Sequence, residues 1–319
     1  MRSSSVLRIV LVVDQPVPVA KYGGTERMVV WMAQLLLRLG HQLILVAPSG
    51  SALPGVAHWP ANTQAQARQI LLQHQGQYDL VHLHGWYGAG EGLPAVATLH
   101  GNMQLNETFP LPNWVCISAD HARRHGRHTF VHNGLPVDEY PFNAIAQRQA
   151  LFFSKVKRKS KGIARTLKMA RQSGWQLDVA GGRRLDLIKA GGLLDSLSPK
   201  IHFHGEVGGV RKLALLQQAA FMVFPIEWDE PFGLAVVESM LCGTPVLASP
   251  RGSMPELIVN GVSGQLCQSD ADFAQAAENV PHLDRVRCRQ FAADTFPIER
   301  CVARYLELYH RVLQGEVLS

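Results

Sequence analysis

Two carboxylates, Glu230 and Glu238, bracket the run Pro231-Phe232-Gly233-Leu234 and lead into Cys242-Gly243-Thr244-Pro245. Their spacing alone carries nothing, because Glu299 and Glu307 repeat it in a stretch patterned as an ordinary amphipathic helix. Context gives it content. An apolar run, Ala220 to Phe224, precedes Glu230, and a Gly-Thr-Pro break leads from the second carboxylate into another apolar run, so the segment reads strand, loop, helix, turn, strand. In such a unit the loop lies at the carboxyl end of a parallel strand, and the first amides of the next helix are unpaired and partly positive. Pro231 opens the turn without needing a donor, and Gly233 has no side chain to hold a ligand off the backbone. The amides of Phe232, Gly233 and Leu234 are then placed for phosphate or hydroxyl oxygens. Glu230, just before the helix, suits sugar hydroxyls better than phosphate, and Glu238, two turns along, suits a vicinal diol such as that of a ribose. The plainer alternative is a solvated acid on the helix dipole followed by a solvated helical Glu.

Three further groups invite chemistry. Tyr22-Gly23-Gly24-Thr25-Glu26-Arg27 follows the first apolar run, without the full dinucleotide G-x-G-x-x-G. Gly23 and Gly24 would let the backbone approach a phosphate at the start of a helix that Thr25 could cap, or would form only a permissive turn. The most charged stretch, Lys155-Val156-Lys157-Arg158-Lys159-Ser160-Lys161-Gly162, directly follows a predicted strand and faces the expected phosphate position, with a solvated basic loop as the alternative. It has no interleaved aromatics and does not read as a nucleic-acid patch. His82-Leu83-His84 and Leu99-His100-Gly101 close two other strands. His82 and His84 share a strand face, yet no Asp, Glu or Cys stands at a recognisable ligand spacing, which argues against metal.

The elements that must position these groups alternate. In the first half the pattern predicts strands at Val6 to Val13, Gln42 to Ala47, Leu80 to Leu83, Ala95 to Leu99, Trp114 to Ile117 and Thr129 to Val131, with a helix from Thr25 to Leu39 closed by Gly40. In the second it predicts Leu151 to Ser154, Gln176 to Ala180, Ile201 to Phe203, Ala220 to Phe224 and Pro245 to Ala248, and a last helix from Glu299 to Gln314. Strands separated by helices imply two Rossmann-like α/β domains. The length of 319 residues, 47% hydrophobic, is enough for two cores. No apolar run reaches a membrane span, and Val6 to Val13 lacks the form of a cleavable signal, so a cytoplasmic protein is expected. Five scattered cysteines in mostly apolar settings point to buried free thiols. A net charge of +6 favours acidic partners without choosing among them.

Residues 219–266 closely resemble the C-terminal domain of retaining GT-B glycosyltransferases of family 4, and the resemblance covers nearly the whole chain. Besides the glutamate motif, it rests on Ser249-Pro250-Arg251-Gly252-Ser253-Met254-Pro255-Glu256, Asn260-Gly261-Val262-Ser263-Gly264, Tyr22 to Arg27, and Val131-His132-Asn133-Gly134-Leu135-Pro136-Val137-Asp138. It implies the GT-B fold, two Rossmann-like domains with parallel sheets facing an interdomain cleft. The acceptor-side domain would be residues 1–140, with helix 299–319 packing back on it, and the nucleotide-sugar domain 141–298, with a hinge in 138–149. It also implies Glu230 and His100 as catalytic residues, His100 hydrogen-bonding a sugar hydroxyl. The donor contacts would be Gly23, Gly24, Lys155, Lys161, Glu206, Val207, Phe232, Gly233, Leu234 and Glu238, with Glu206 and Val207 meeting the base through backbone atoms. One departure stands out. Where the family has "GRL…KG", this chain reads Ser154-Lys155-Val156 and Lys161-Gly162, so Lys155 supplies charge without Arg's planar fork, and Lys157, Arg158 or Lys159 could be the true partner.

The implied reaction is transfer of a glycosyl group from a nucleotide-diphosphate sugar to an acceptor hydroxyl with retention at the anomeric carbon. Helix-end amides and lysines would stabilise the leaving diphosphate, so neither a divalent metal nor a cofactor is expected. A glycan or lipid-linked acceptor, in cell-surface glycan or lipopolysaccharide synthesis, and peripheral association with the inner membrane face fit the basic balance. Rival readings are a GT-B sugar-nucleotide epimerase or phosphorylase, a metal hydrolase built on His82, His84 and His100, and a noncatalytic partner subunit.

Overall fold

The computed structural model describes residues 6–19, 23–104 and 107–319, so Tyr22 of the glycine loop lies outside the described residues. Parallel strands covered on both faces read as continuous apolar runs, and the chain supplies two series of them. The first comprises β1 (Arg8–Val12), α1 (Gly24–Arg38), β2 (Gln42–Ala47), β3 (Ala57–Pro60), α2 (Gln64–Gln73), β4 (Leu80–Leu83), β5 (Ala95–Thr98), β6 (Trp114–Val115) and α3 (Ala119–Arg124). The second comprises β7 (Gln149–Phe153), α4 (Ile163–Ser173), β8 (Gln176–Ala180), α5 (Leu187–Ala190), β9 (Ile201–Gly205), α6 (Gly209–Gln218), β10 (Phe221–Phe224), α7 (Leu234–Leu241), β11 (Val246–Ala248), α8 (Met254–Leu257), β12 (Gly264–Leu266), α9 (Asp270–Asn279) and α10 (Arg285–Thr295). A last helix, α11 (Ile298–Leu313), follows. The chain divides into two compact units, one ending at Leu135 and taking in Ile298–Ser319, the other Pro136–Pro297.

Each unit holds a six-stranded parallel sheet, ordered β3-β2-β1-β4-β5-β6 in one and β12-β11-β10-β7-β8-β9 in the other. Counted from its own first strand, each follows the same doubly wound order, which reverses between β1 and β4 and between β7 and β10. At such a reversal the connections leave to opposite sides and open a crevice at the strands' carboxyl ends. In the first core Val10, Val12, Val81, Leu83 and Ala97 are buried together, and in the second Phe152, Leu177, Val179, Phe221 and Val223. Helix α11 buries Cys301, Val302, Tyr305, Leu308, Tyr309 and Val312, a stripe at three- and four-residue steps, and packs on α1 and β5. Among the described residues, no helix is long and apolar enough to cross a membrane.

The expected strands form within a few residues of their predicted ends, except Thr129 to Val131. Only an isolated bridge, Cys116 to Phe130, forms there, because the amide of Thr129 donates instead to the Ser319 carbonyl at 2.6 Å. Two edge strands were not expected. β3 is half-exposed and ends in proline, while β12 spans three residues and begins with glycine. Neither carries the apolar run of an interior strand. Thr25 is not the cap of α1: the helix begins at Gly24, with Gly23 in the capping position. All five cysteines are free and buried, and burial pushes the thiols of Cys242 and Cys288 up to about 12.

Candidate active site

In the second unit the residues around β7 and β10 converge. Lys161 ends a tight turn that follows β7, and Gly162 after it takes the left-handed conformation, φ +76°. Any Cβ on Gly162 would lie 2.1 Å from the Pro225 carbonyl oxygen, so only glycine lets the two loops close to this distance. The amide of Glu227 donates to the Ser160 carbonyl at 2.8 Å and completes the seam. Lys161 Nζ thereby reaches Glu230 and donates to its Oε2. The same oxygen accepts from Trp228 Nε1 at 3.0 Å, and the ammonium lies 4.6 Å from the Trp228 ring centre. No described residue donates to Glu230 Oε1.

Backbone contacts fix the loop that carries Glu230. Ser253 N–H donates to the Glu230 carbonyl at 3.0 Å, and Ser253 Oγ donates to the Phe232 carbonyl at 2.5 Å. Phe232 is buried against Phe296, and Gly233, at φ +96°, caps α7 with no side chain to occupy its first amides. Leu234 opens the helix, so the amide cluster expected from the sequence stands beside Glu230. Glu238 is not the solvated helical Glu of the plainer reading. It is 1% exposed, and its Oε1 accepts from Tyr140 OH at 2.8 Å and Lys212 Nζ at 2.7 Å.

Lys155, Glu206 and Val207 sit at the carboxyl ends of β7 and β9, laced together by Gly181. Its amide donates to the Gly205 carbonyl at 2.7 Å, and its carbonyl accepts from Val156 N–H at 3.0 Å. Lys155 and Glu206 are exposed, whereas Val207 is buried. Tyr140, Lys212, Trp228 and Ser253 are the site residues that sequence reasoning missed. Trp228, two positions before Glu230, and Ser253, inside the motif that begins at Ser249, left a local signal, but neither was given a role.

In the first unit Gly23 and Gly24 lie at the start of α1 and His100 at the end of β5. His100 is half-buried at the edge of a buried polar network. His84 Nδ1 and His100 Nε2 are 2.9 Å apart; His82 joins Tyr309 OH at 2.6 Å through Nδ1 and Thr98 Oγ1 at 2.7 Å through Nε2; Thr98 Oγ1 meets Tyr305 OH at 2.7 Å. Desolvation first, and neighbouring imidazoles second, hold His82 and His100 down at about 3 and His84 well below its ordinary value, so all three rings are neutral at pH 7. His121 is held down at about 4 by the same causes. An unfolded chain, with ordinary imidazoles near 6.5, binds protons below that pH which the native protein refuses. Stability is therefore full above pH 6.5 and falls as the pH drops toward 4. Unfolding free energies from urea melts at pH 7 and pH 5 should differ by about 2 kcal/mol per buried ring; coincident values would contradict the neutral assignment.

Cys116, His121 and His125 bring ligand-type atoms within 4.8 Å of one another. Both rings are already committed: His121 bonds Ile117 N–H and the Gly101 carbonyl, and His125 bonds Met103 N–H and the His121 carbonyl. Burial keeps the Cys116 thiol protonated, up at about 12, so it offers no thiolate to complete a metal site.

Two family models match the chain, one described as Glycosyltransferase Family 4 over residues 22–133 and one as Glycosyl transferases group 1 over residues 141–290. Among characterised proteins, the D-inositol 3-phosphate glycosyltransferase of Mycobacterium tuberculosis is 35% identical over 111 residues. That match takes in 32% of this chain but only 23% of the relative. Among solved structures, AviGT4, a glycosyltransferase involved in avilamycin A biosynthesis, superposes with a TM-score of 0.79 at 21% identity, covering 98% of this chain and 100% of its own. HepE of Anabaena, in complex with UDP-glucose, superposes with a TM-score of 0.75 at 16% identity, covering 97% and 100%. At these identities the structural likeness speaks for the fold.

Proposed function

The chain belongs to glycosyltransferase family 4, with its GT-B pair of Rossmann-like units, and from that premise we propose that it transfers a glycosyl group from a nucleoside-diphosphate sugar to an acceptor hydroxyl with retention. The observation that carries the reading is the Lys161–Glu230 pair seated on Trp228 beside the first amides of α7. The diphosphate takes the amides of Phe232, Gly233 and Leu234 together with the charges of Lys161 and Lys155. Glu230 Oε1 receives a hydroxyl of the transferred sugar, Glu238 the ribose diol, and Glu206 and Val207 flank the base. His100, neutral, offers a hydrogen bond to a reacting hydroxyl. In the transfer the bond from the anomeric carbon to the phosphate oxygen breaks. The acceptor oxygen bonds that carbon from the same face, and its proton passes to the departing phosphate.

The acceptor reading is a glycan or lipid-linked hydroxyl in cell-surface glycan or lipopolysaccharide synthesis, supported by the net charge of +6. The test begins with thermal shifts of the wild type and Glu238→Gln against UDP, GDP, ADP and dTDP and their sugar conjugates. A ligand at about 100 times its Kd adds about 2.7 kcal/mol, so a bound diphosphate is visible. One diphosphate should stabilise the wild type far more than the variant. Turnover with that donor on soluble and lipid-linked acceptors, with the anomeric configuration of the product read by NMR, tests the rest. Silence from every nucleotide with the protein folded, or an inverted product, would sink the proposal.

A further inference from the structure

We propose that His84 is a positioning residue that fixes His100 in one tautomer, with its proton on Nδ1, so that His100 meets substrate only as a hydrogen-bond donor. The inference deepens the transfer reading and rests on it for its functional half. Its structural half stands on the unit that contains both rings.

The N···N separation of 2.9 Å between His84 Nδ1 and His100 Nε2 requires one proton between them. Neutral imidazole carries one N–H, so the pair has two arrangements. If His100 donated through Nε2, the proton of His84 would have to sit on its own Nε2. That atom is buried and has no partner among the described residues. The result would be an orphaned buried N–H, the rarest of polar defects in folded proteins. If His84 donates through Nδ1, its Nε2 keeps a bare lone pair, and no donor is stranded. His100 Nε2 is then an acceptor occupied by His84, and the His100 proton lies on Nδ1.

The surroundings hold His84 in place for this role. Its ring centre lies 4.0 Å from that of His82, which is itself fixed through both nitrogens by Tyr309 and Thr98. His84 also follows β4 directly, its amide donating to the Val12 carbonyl at 2.8 Å, so the strand pair at the sheet reversal sets its backbone. Among the described residues nothing bonds His100 Nδ1, the atom left to face a ligand. A ring so arranged cannot accept a proton from an attacking hydroxyl at Nδ1. It can only donate to an oxygen that bears lone pairs, such as a sugar hydroxyl or a departing oxygen.

The decisive measurement is long-range 1H–15N NMR of 15N-histidine-labelled protein at pH 7, with the His100 signals assigned by their loss in His100→Gln. The wild type should show His100 protonated on Nδ1 and bare on Nε2. His84→Asn, whose amide can donate from near the position of Nδ1, should keep that pattern, and His84→Leu should let both tautomers appear. In turnover, His84→Leu should lower kcat about tenfold at little change in KM for the donor, and His84→Asn should recover most of it. A wild-type His100 protonated on Nε2 would overturn the assignment without recourse to any variant. An unchanged tautomer in folded His84→Leu would overturn the role of His84. The ring measurement needs no turnover, so its outcome stands apart from that of the transfer reading.

Discussion

Lys161→Met is expected to lower kcat/KM for the nucleoside-diphosphate sugar by about 100- to 1,000-fold, the loss typical when one preorganised charge or donor is removed from a leaving group. Methionine keeps an unbranched apolar chain of similar length while removing the ammonium, which lies over the Trp228 and Phe224 rings and which both Glu230 and a departing diphosphate would use. It also leaves Glu230 as a largely buried carboxylate without its cation, so a loss of stability accompanies the loss of activity. The two consequences separate in the double variant Lys161→Met with Glu230→Gln. If Lys161 acts on the diphosphate, the double variant regains stability yet turns over far more slowly than Glu230→Gln alone. Equal turnover in those two variants would reduce Lys161 to a counter-ion for Glu230. Lys161→Arg is not a conservative control, because a planar fork does not replace a point charge in a seam closed as tightly as that at Gly162.

Gly252→Ala should be far more damaging than Gly261→Ala, although both glycines occupy the left-handed region, at φ +58° and +77°. A Cβ at Gly261 meets nothing within 4 Å, so the substitution carries only the backbone strain of about 1–2 kcal/mol. At Gly252 the same Cβ would stand 2.4 Å from both the amide nitrogen and the carbonyl oxygen of Glu230. Neither backbone atom can yield without moving the carboxylate. A displacement of about 1 Å at a reacting group costs on the order of 100-fold in rate, so Gly252→Ala should lose turnover beyond its loss of stability. Gly261→Ala should keep near-native kcat. Urea melts and steady-state rates of the two variants side by side decide the matter, and equal rates would show that the Gly252 turn does not hold Glu230 in its working position.

The strand, loop and helix around Glu230 were legible because each piece writes its signal locally: an apolar run, a proline and glycine turn, then a helix without a capping side chain. The same holds for Lys161, where a glycine next to the charge marks a turn that a bulkier residue would block. Glu238 was legible as a position but not as an environment, since Tyr140 and Lys212, which hold it, stand 98 and 26 residues away. No periodicity reports a partner across that separation. His84 was noticed for its possible metal chemistry, and the absence of carboxylate or thiol ligands at a usable spacing argued against that. Its bond to His100 depends on the parallel pairing of β4 with β5, which sequence spacing does not specify. The edge strands β3 and β12 escaped because an edge needs neither length nor unbroken apolarity.

Helix α11 puts the end of the first unit at the far end of the sequence. The Tyr305 and Tyr309 hydroxyls that satisfy Thr98 and His82 are made only after all of Pro136–Pro297 has been made. During synthesis on a ribosome, the contiguous second unit can reach its native contacts while the first still has a buried imidazole and hydroxyl waiting for partners. The half of the chain that emerges first is therefore the last to be finished.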